Sequence, residues 1–276
     1  MSIAIVTDSA CDIPPEIAEQ LQIHVIPNVL VIEGQSFIDG REISRQEFYE
    51  RLPKMKNVPS TAAPSPGAFQ ALYEGLFQQG YQQIISIHVP DALSAIFSVA
   101  SLAAQTFENR VKVIDSGTFT LGLGFQVIAA AEEAVKGYPL EYILSEIASV
   151  RQRVHVVAML DSLEYVRRSG RVSWAKARLG SLLDIKPFLR VHESKVLRLG
   201  EARTRHKGIE RLLQMLQDLG PLQRLAVLHT NADKDALLFV QQVRNEIDTS
   251  PLLVNVTTVI GTHVGPNGLG YTAVTR

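Results

Sequence analysis

The sequence predicts an α/β protein of two domains. An N-terminal three-layer α/β/α domain with a parallel sheet is expected over residues 1–150, and a C-terminal α/β domain with a mixed sheet over residues 151–276. Two patterns carry the prediction. The first half alternates short β-branched runs, apolar on both faces, with longer amphipathic stretches, as strands buried in a parallel sheet and joined by crossover helices do. The second half combines a hairpin with a strand–helix–strand set, and that combination requires strands of both directions. Length agrees, since 276 residues suffice for two modest cores.

Taken in order, residues 3–6, 84–88 and 111–114 read as buried strands, each followed by a polar turn and a helical pattern. Pro14-Pro15-Glu16 opens the first helix, with proline where its missing N–H does no harm and an acid near the positive end of the dipole. Ser44-Arg45-Gln46-Glu47 has the capping-box spacing and starts another. Residues 92–107 and 118–135 hold the longest helical patterns. Beyond residue 150, a strand is expected over 154–160 and a short helix from Ser162 to Val166. Residues 184–191 and 196–202 alternate about His192-Glu193-Ser194-Lys195, a hairpin pattern. Leu212, Leu213, Leu216 and Leu219 form one stripe of a helix over 204–219. A strand at 224–230, a helix at 233–246 and strands at 252–259 and 271–275 complete the set.

Composition narrows the function. With 46% hydrophobic and 20% charged residues the chain is neither disordered, collagen-like nor a coiled coil. Lys+Arg 27 against Asp+Glu 28 gives a net charge of −1, so no global field draws the protein to nucleic acid or an anionic membrane. One cysteine, Cys11, excludes a disulfide framework and a multi-thiolate metal site. The opening Met1-Ser2-Ile3-Ala4-Ile5-Val6-Thr7-Asp8 lacks a basic n-region, and no apolar run approaches the roughly 20 residues of a membrane span. A soluble, cytoplasmic protein is expected.

Familiar catalytic signatures are missing. Gly122-Leu123-Gly124 lacks the third glycine of the dinucleotide fingerprint, because Val127 stands in its place, and packing glycines are the better reading. There is no Walker A sequence, nucleophile elbow or H-E-x-x-H. The seven histidines are scattered, so neither a metal nor a cofactor is expected. Asp8, after the first strand, reads either as an aspartyl-phosphate nucleophile or as an Asx turn closing that strand.

Four polar segments remain. Ser60-Thr61-Ala62-Ala63-Pro64-Ser65 is a loop of small hydroxyl residues, in which Ser65 reads equally as a helix cap. In Asp91-Ala92-Leu93-Ser94, Ser94 is expected within the first turn of a long helix, where free N–H groups favour an anion. Leu163 to Arg171 is a basic turn closing on Gly170. From Arg151 to Arg190, nine Lys/Arg face three Asp/Glu, a local charge of +6 in a neutral protein. Gly261-Thr262-His263-Val264-Gly265-Pro266-Asn267-Gly268-Leu269-Gly270 packs four glycines into a run read as a turn, which admits positive φ and close backbone approach. A histidine held there can donate to a carboxylate or phosphate. Hydroxyls, helix amides and one histidine without a strong nucleophile point to binding of an anionic oxygen pair rather than to turnover.

The order of these motifs resembles the DegV family. Thr7-Asp8-Ser9, Phe37-Ile38-Asp39-Gly40 with Ile43-Ser44, Ser60-Thr61, Leu93-Ser94, Val113-Ile114-Asp115-Ser116, the 163–172 turn, Lys186-Pro187, and His263 with Gly265-Pro266-Asn267-Gly268-Leu269-Gly270 carry the likeness. The resemblance implies a two-domain fold that holds one long-chain fatty acid in a buried tunnel between the domains. It also implies the role of carrier subunit, presenting the carboxylate to a separate ATP-dependent bacterial fatty acid kinase subunit that makes acyl phosphate for phospholipid synthesis. Carried over by position, Thr61, Ser94 and His263 match the carboxylate-binding groups. Arg171 matches the arginine associated with kinase docking, and Arg167 and Arg168 extend a basic rim for an acidic partner surface. Ala63 stands where the family commonly has glutamine, and Ala95-Ile96 where it has Gly-Thr, which removes polar neighbours of the carboxylate. Two other readings stay open: a small hydrolase or phosphotransferase using Asp8 or Ser94 with His263, and a protein-interaction module acting through residues 151–190.

Overall fold

The computed structural model describes residues 2–176 and 185–276. In chain order its elements are β1 (Ile3–Asp8), α1 (Pro15–Gln20), β2 (Ile23–Ile26), β3 (Val29–Ile32), β4 (Gln35–Ile38), α2 (Arg45–Arg51) and β5 (Ser60–Ala62). There follow α3 (Pro66–Gln78), β6 (Gln83–His88), α4 (Ile96–Ala104), β7 (Val111–Asp115), α5 (Leu121–Val135) and α6 (Leu140–Arg153). The rest comprises β8 (Val154–Met159), α7 (Glu164–Ser169), α8 (Ser173–Lys176), β9 (Lys186–His192), β10 (Lys195–Ala202) and α9 (Arg205–Gln217). Last come β11 (Leu222–His229), α10 (Asp233–Val243), β12 (Leu252–Asn255), α11 (Thr258–Val264) and β13 (Leu269–Thr275).

By its contacts the chain divides into two compact units. One comprises Met1–Val29 and Ala62–Arg153, the other Leu30–Thr61 and Val154–Arg276. The break at 153/154 lies beside the expected one. The expectation of two continuous domains, 1–150 and 151–276, is corrected for residues 30–61, which belong to the second unit. Their side chains explain why. The Tyr49 hydroxyl donates to the Val256 carbonyl at 2.9 Å, the Thr258 hydroxyl donates to Asp39 at 2.7 Å, and Arg45 donates to the Asn255 carbonyl. Leu30, Ile32, Ile43, Phe48, Tyr49 and Leu52 form a core of their own, against which Tyr165 packs.

The first unit carries the expected parallel sheet, in the order β2-β1-β6-β7. All six residues of β1 are buried, whereas β7, at the sheet edge, exposes Lys112. The capping residues act as their sequence positions require. Ser65 accepts from the Ala68 amide and Pro15 sits at the head of α1, and in the second unit Ser44 accepts from the Glu47 amide. Leu121 to Ala131 of α5 are buried without exception, and a Cβ at Gly124 would lie 2.5 Å from the Cys11 carbonyl oxygen. Glycine there serves close packing. The helix expected over 92–107 begins only at Ile96, after a turn.

The second unit holds a six-stranded mixed sheet in the order β10-β9-β8-β13-β11-β12. β11 and β12 are parallel, and the other neighbours antiparallel. Glu193 and Ser194 both adopt left-handed φ (45° and 63°), the tight turn that joins β9 to β10. Met159, Phe188, Leu212, Leu216, Phe239 and Tyr271 belong to the core beneath the sheet. A further three-stranded sheet, β4-β3-β5, was not anticipated. The expected strand over 252–259 ends at Asn255 and gives way to α11. Arg178 and Asp184, counted in the basic stretch, and the expected strand start at 184 lie outside the described residues.

Candidate functional site

The site is built on α11. The Thr257 side chain caps it by accepting from the Val259 amide, and Thr258, Ile260, Gly261 and Thr262 are buried. Gly265, at φ +79°, ends it. His263 therefore stands in the last turn of a helix, which corrects the expected glycine turn: only Gly265 to Gly268 of that run is irregular backbone, and Leu269 and Gly270 already belong to β13. Gly261 within the helix and Gly265 at its end both face aromatic rings. A Cβ at Gly261 would overlap the Tyr49 hydroxyl, and one at Gly265 would overlap the Tyr165 ring.

Held this way, His263 Nε2 lies 3.2 Å from the Thr61 hydroxyl on β5. The two are 202 residues apart in sequence. The other ring nitrogen, Nδ1, is buried and has no hydrogen-bond partner among the described residues. Burial, and secondarily the charge of Arg171, pushes the imidazole down to about 4. At neutral pH the ring is uncharged, with one nitrogen a donor and the other an acceptor.

The predicted docking arginines gather in one turn. Arg167 and Arg168 lie in the last turn of α7, where cations suit the helix dipole, and Gly170 at φ +72° closes it. Arg168 pairs with Glu164. Arg171 follows, exposed, its guanidinium donating to the Ser169 carbonyl at 2.7 Å. The site thus offers two uncharged hydrogen-bonding side chains with a cation near enough to shift the histidine. That arrangement suits a carboxylate or another singly charged oxygen anion.

Ser94 belongs to the first unit. It lies before α4 rather than within its first turn, because Ala95 is the N-cap, and its hydroxyl accepts from the Ile96 amide at 3.4 Å. The side chain of Ile96, after the departure Ala95, is core.

Asp8 is sealed inside the first unit. It accepts from the Ala10 amide at 3.0 Å, the Asx turn of the second reading, and also from Asn28 at 3.1 Å and the Val89 amide at 3.4 Å. Its Oδ2 meets His88 Nδ1 at 3.0 Å, His88 Nε2 meets the Ser86 hydroxyl at 2.7 Å, and the Tyr73 hydroxyl donates to Ser86 at 2.9 Å. All four side chains are fully buried, so neither Asp8 nor Ser86 presents an oxygen to a substrate. Sequence reading missed this chain. Its signal was Ser86-x-His88, two residues that a strand places on one face beside Asp8.

Among the described residues no group of three or more His, Cys, Asp or Glu is placed to hold a metal ion, and no helix is long and apolar enough to cross a membrane.

Comparison with known proteins follows the same lines. The family model described as "Uncharacterised protein, DegV family" matches residues 2–276. Protein DegV of Bacillus subtilis is 34% identical over 276 residues, covering 98% of each chain. A DegV domain-containing protein of Listeria monocytogenes is 33% identical over 275 residues, covering 98% of this chain and 97% of that protein. Among solved structures, a DegV family protein from Thermus thermophilus, described by its fatty acid binding, superposes with a TM-score of 0.92 at 30% identity over 100% of both chains. The Bacillus subtilis DegV structure, described as a fatty acid binding protein, gives 0.88 at 33% identity, also over 100% of both. A family match over nearly every residue, relatives a third identical and a shared fold leave one assignment: the chain belongs to the DegV family.

Proposed function

We propose that this protein is a fatty acid carrier. It binds a long-chain fatty acid, with Thr61, His263 and Ser94 as the carboxylate-binding residues, and presents the carboxylate to a separate ATP-dependent kinase subunit in the cytoplasm. The carrying observation is the pairing of Thr61 with a neutral, half-buried His263 under the influence of Arg171. Fatty acid binding by the Thermus and Bacillus relatives supports the ligand class. Energetically the tail dominates, since each buried methylene contributes roughly 0.8 kcal/mol, and a sixteen- to eighteen-carbon acid on the order of 12 kcal/mol before ordering costs. Few directed donors are then needed to select a carboxylate.

Neutral donors also suit the chemistry that would follow. A carboxylate held by hydrogen bonds keeps its charge and a free lone pair. One oxygen attacks the γ-phosphorus of ATP supplied by the partner, an O–P bond forms, and ADP leaves. The carrier itself performs no phosphoryl transfer in this reading, and Arg171, Arg167 and Arg168 meet an acidic surface of the kinase, with an affinity that falls as salt rises. Native mass spectrometry and lipid extraction test the carrier role. Purified protein should carry, or take up, one equivalent of palmitate or oleate. A protein that ignores both acids, or that turns over acyl or phosphoryl esters without a kinase, would overturn it.

A further inference from the structure

The arginine turn and the histidine share supports that neither function alone requires. Tyr165 sits on α7, two residues before Arg167, and its ring occupies the space a side chain at Gly265 would need. Gly265 is the residue that ends α11 two positions after His263. The turn is also anchored at both feet: Val166 before it and Val172 after it are buried in one cluster with Leu160, Ala175 and Leu189, and Val264 and Trp174 pack against that cluster. One turn earlier, at Gly261, α11 rests on Tyr49, whose hydroxyl bonds the Val256 carbonyl just ahead of the helix, and Tyr165 packs against the same cluster as Tyr49. The helix segment that bears His263 is therefore seated on two tyrosines, one of them borne by the short helix that carries Arg167 and Arg168.

We propose that Tyr165 is a positioning residue coupling the head-group histidine to the arginine turn, so that a fatty acid arriving at His263 changes how the arginines are presented. The inference rests on the carrier reading and adds to it: the docking turn reports whether the carrier is loaded. Packed rings shift between discrete arrangements rather than deforming smoothly, which is what allows a head-group contact to move a turn.

The chain's one tryptophan makes this measurable. Trp174 lies in α8, three residues after Arg171, with its indole N–H donating to the Val196 carbonyl at 2.9 Å. Oleate titrated into the full chain should change Trp174 emission with the midpoint that calorimetry gives for binding. Tyr165→Phe keeps the ring and should behave as wild type. Tyr165→Ala, with Tyr165→Leu beside it in case the first fails to fold, should weaken oleate binding about tenfold, as expected when one charge-assisted hydrogen bond is misdirected. At saturation its Trp174 response should fall below about half of wild type. A second arm needs no ligand: NMR titration of His263 should show its midpoint rising from about 4 toward the ordinary 6.5 as α11 loosens in these variants. An unchanged midpoint, or a full Trp174 response at saturation in the Leu or Ala variant, would overturn the coupling. Failure of wild type to bind oleate would sink the carrier reading instead, while the ligand-free arm still decides whether Tyr165 positions His263.

Discussion

Replacing Gly261 by alanine sets two effects of opposite sign against each other. In an unobstructed helix interior, Gly→Ala gains up to about 1 kcal/mol from helix propensity alone. Here the new methyl would overlap the hydroxyl, Cε1 and Cζ of Tyr49, a side chain only 1% exposed. The ring has no solvent to move into, and overpacking of this kind costs about 1–3 kcal/mol. Any shift that relieves it disturbs the hydroxyl's bond to the Val256 carbonyl, 2.9 Å away, beside the Thr257 carbonyl at 3.4 Å, and weakening that buried hydrogen bond costs about 1–2 kcal/mol more. The sum favours destabilisation by about 3 kcal/mol. Urea unfolding followed by Trp174 emission, which reports the same unit, should show the midpoint falling by about 1 M. Tyr49→Phe alone should cost about 1 kcal/mol, and in the double variant the losses should be less than additive, because the phenolic oxygen that the methyl strikes is gone. A midpoint unchanged or raised in Gly261→Ala would refute the claim that Tyr49 rigidly braces the histidine helix.

Three further outcomes follow from the same structure. Asp8→Ala leaves His88, Asn28 and two amides without their acceptor, so thermal or urea unfolding should register a loss of about 3–5 kcal/mol, and a loss below about 1 kcal/mol would mean the buried chain contributes little. His263 titrates below its unfolded value of 6.5, so the unfolded chain binds more protons between pH 6.5 and about 4. Its contribution to stability is therefore complete above that window and lost as pH falls through it, by at most about 3 kcal/mol; His263→Gln should remove that component, and Arg171→Gln should raise the histidine's midpoint as read by NMR. His263→Ala and Ser94→Ala should both lower oleate retention with circular dichroism unchanged, and full retention by the serine variant would remove Ser94 from the head group.

Where periodicity was unambiguous the fold could be read. The apolar runs of β1 and β6, the leucine stripe of α9 and the caps Ser44 and Ser65 are all as their local chemistry dictates. α11 escaped because Thr257-Thr258-Val259-Ile260 is β-branched and Gly261 interrupts the helical pattern; tertiary packing against Tyr49 outweighs propensity there. The useful signals were the threonine cap and Gly265 eight residues on. β3 and β4 are short, yet Glu33-Gly34, both at positive φ, marked their turn. The membership of residues 30–61 in the second unit has no local signal, since it depends on partners more than 200 residues away. Of the site, the residue types at Thr61 and His263 were legible, but their 3.2 Å approach and the loss of charge on the imidazole arise only from the packed helix.

The split origin of the second unit has a cost during synthesis. Tyr49 emerges 207 residues before Val256, the carbonyl it finally binds. At ribosomal speeds of about 5–20 residues per second that is a wait of roughly 10–40 s. Throughout it Leu30, Ile32, Phe48 and Leu52 are on the nascent chain without the later residues that complete their unit. Apolar side chains left waiting in this way are an aggregation hazard that grows with the delay.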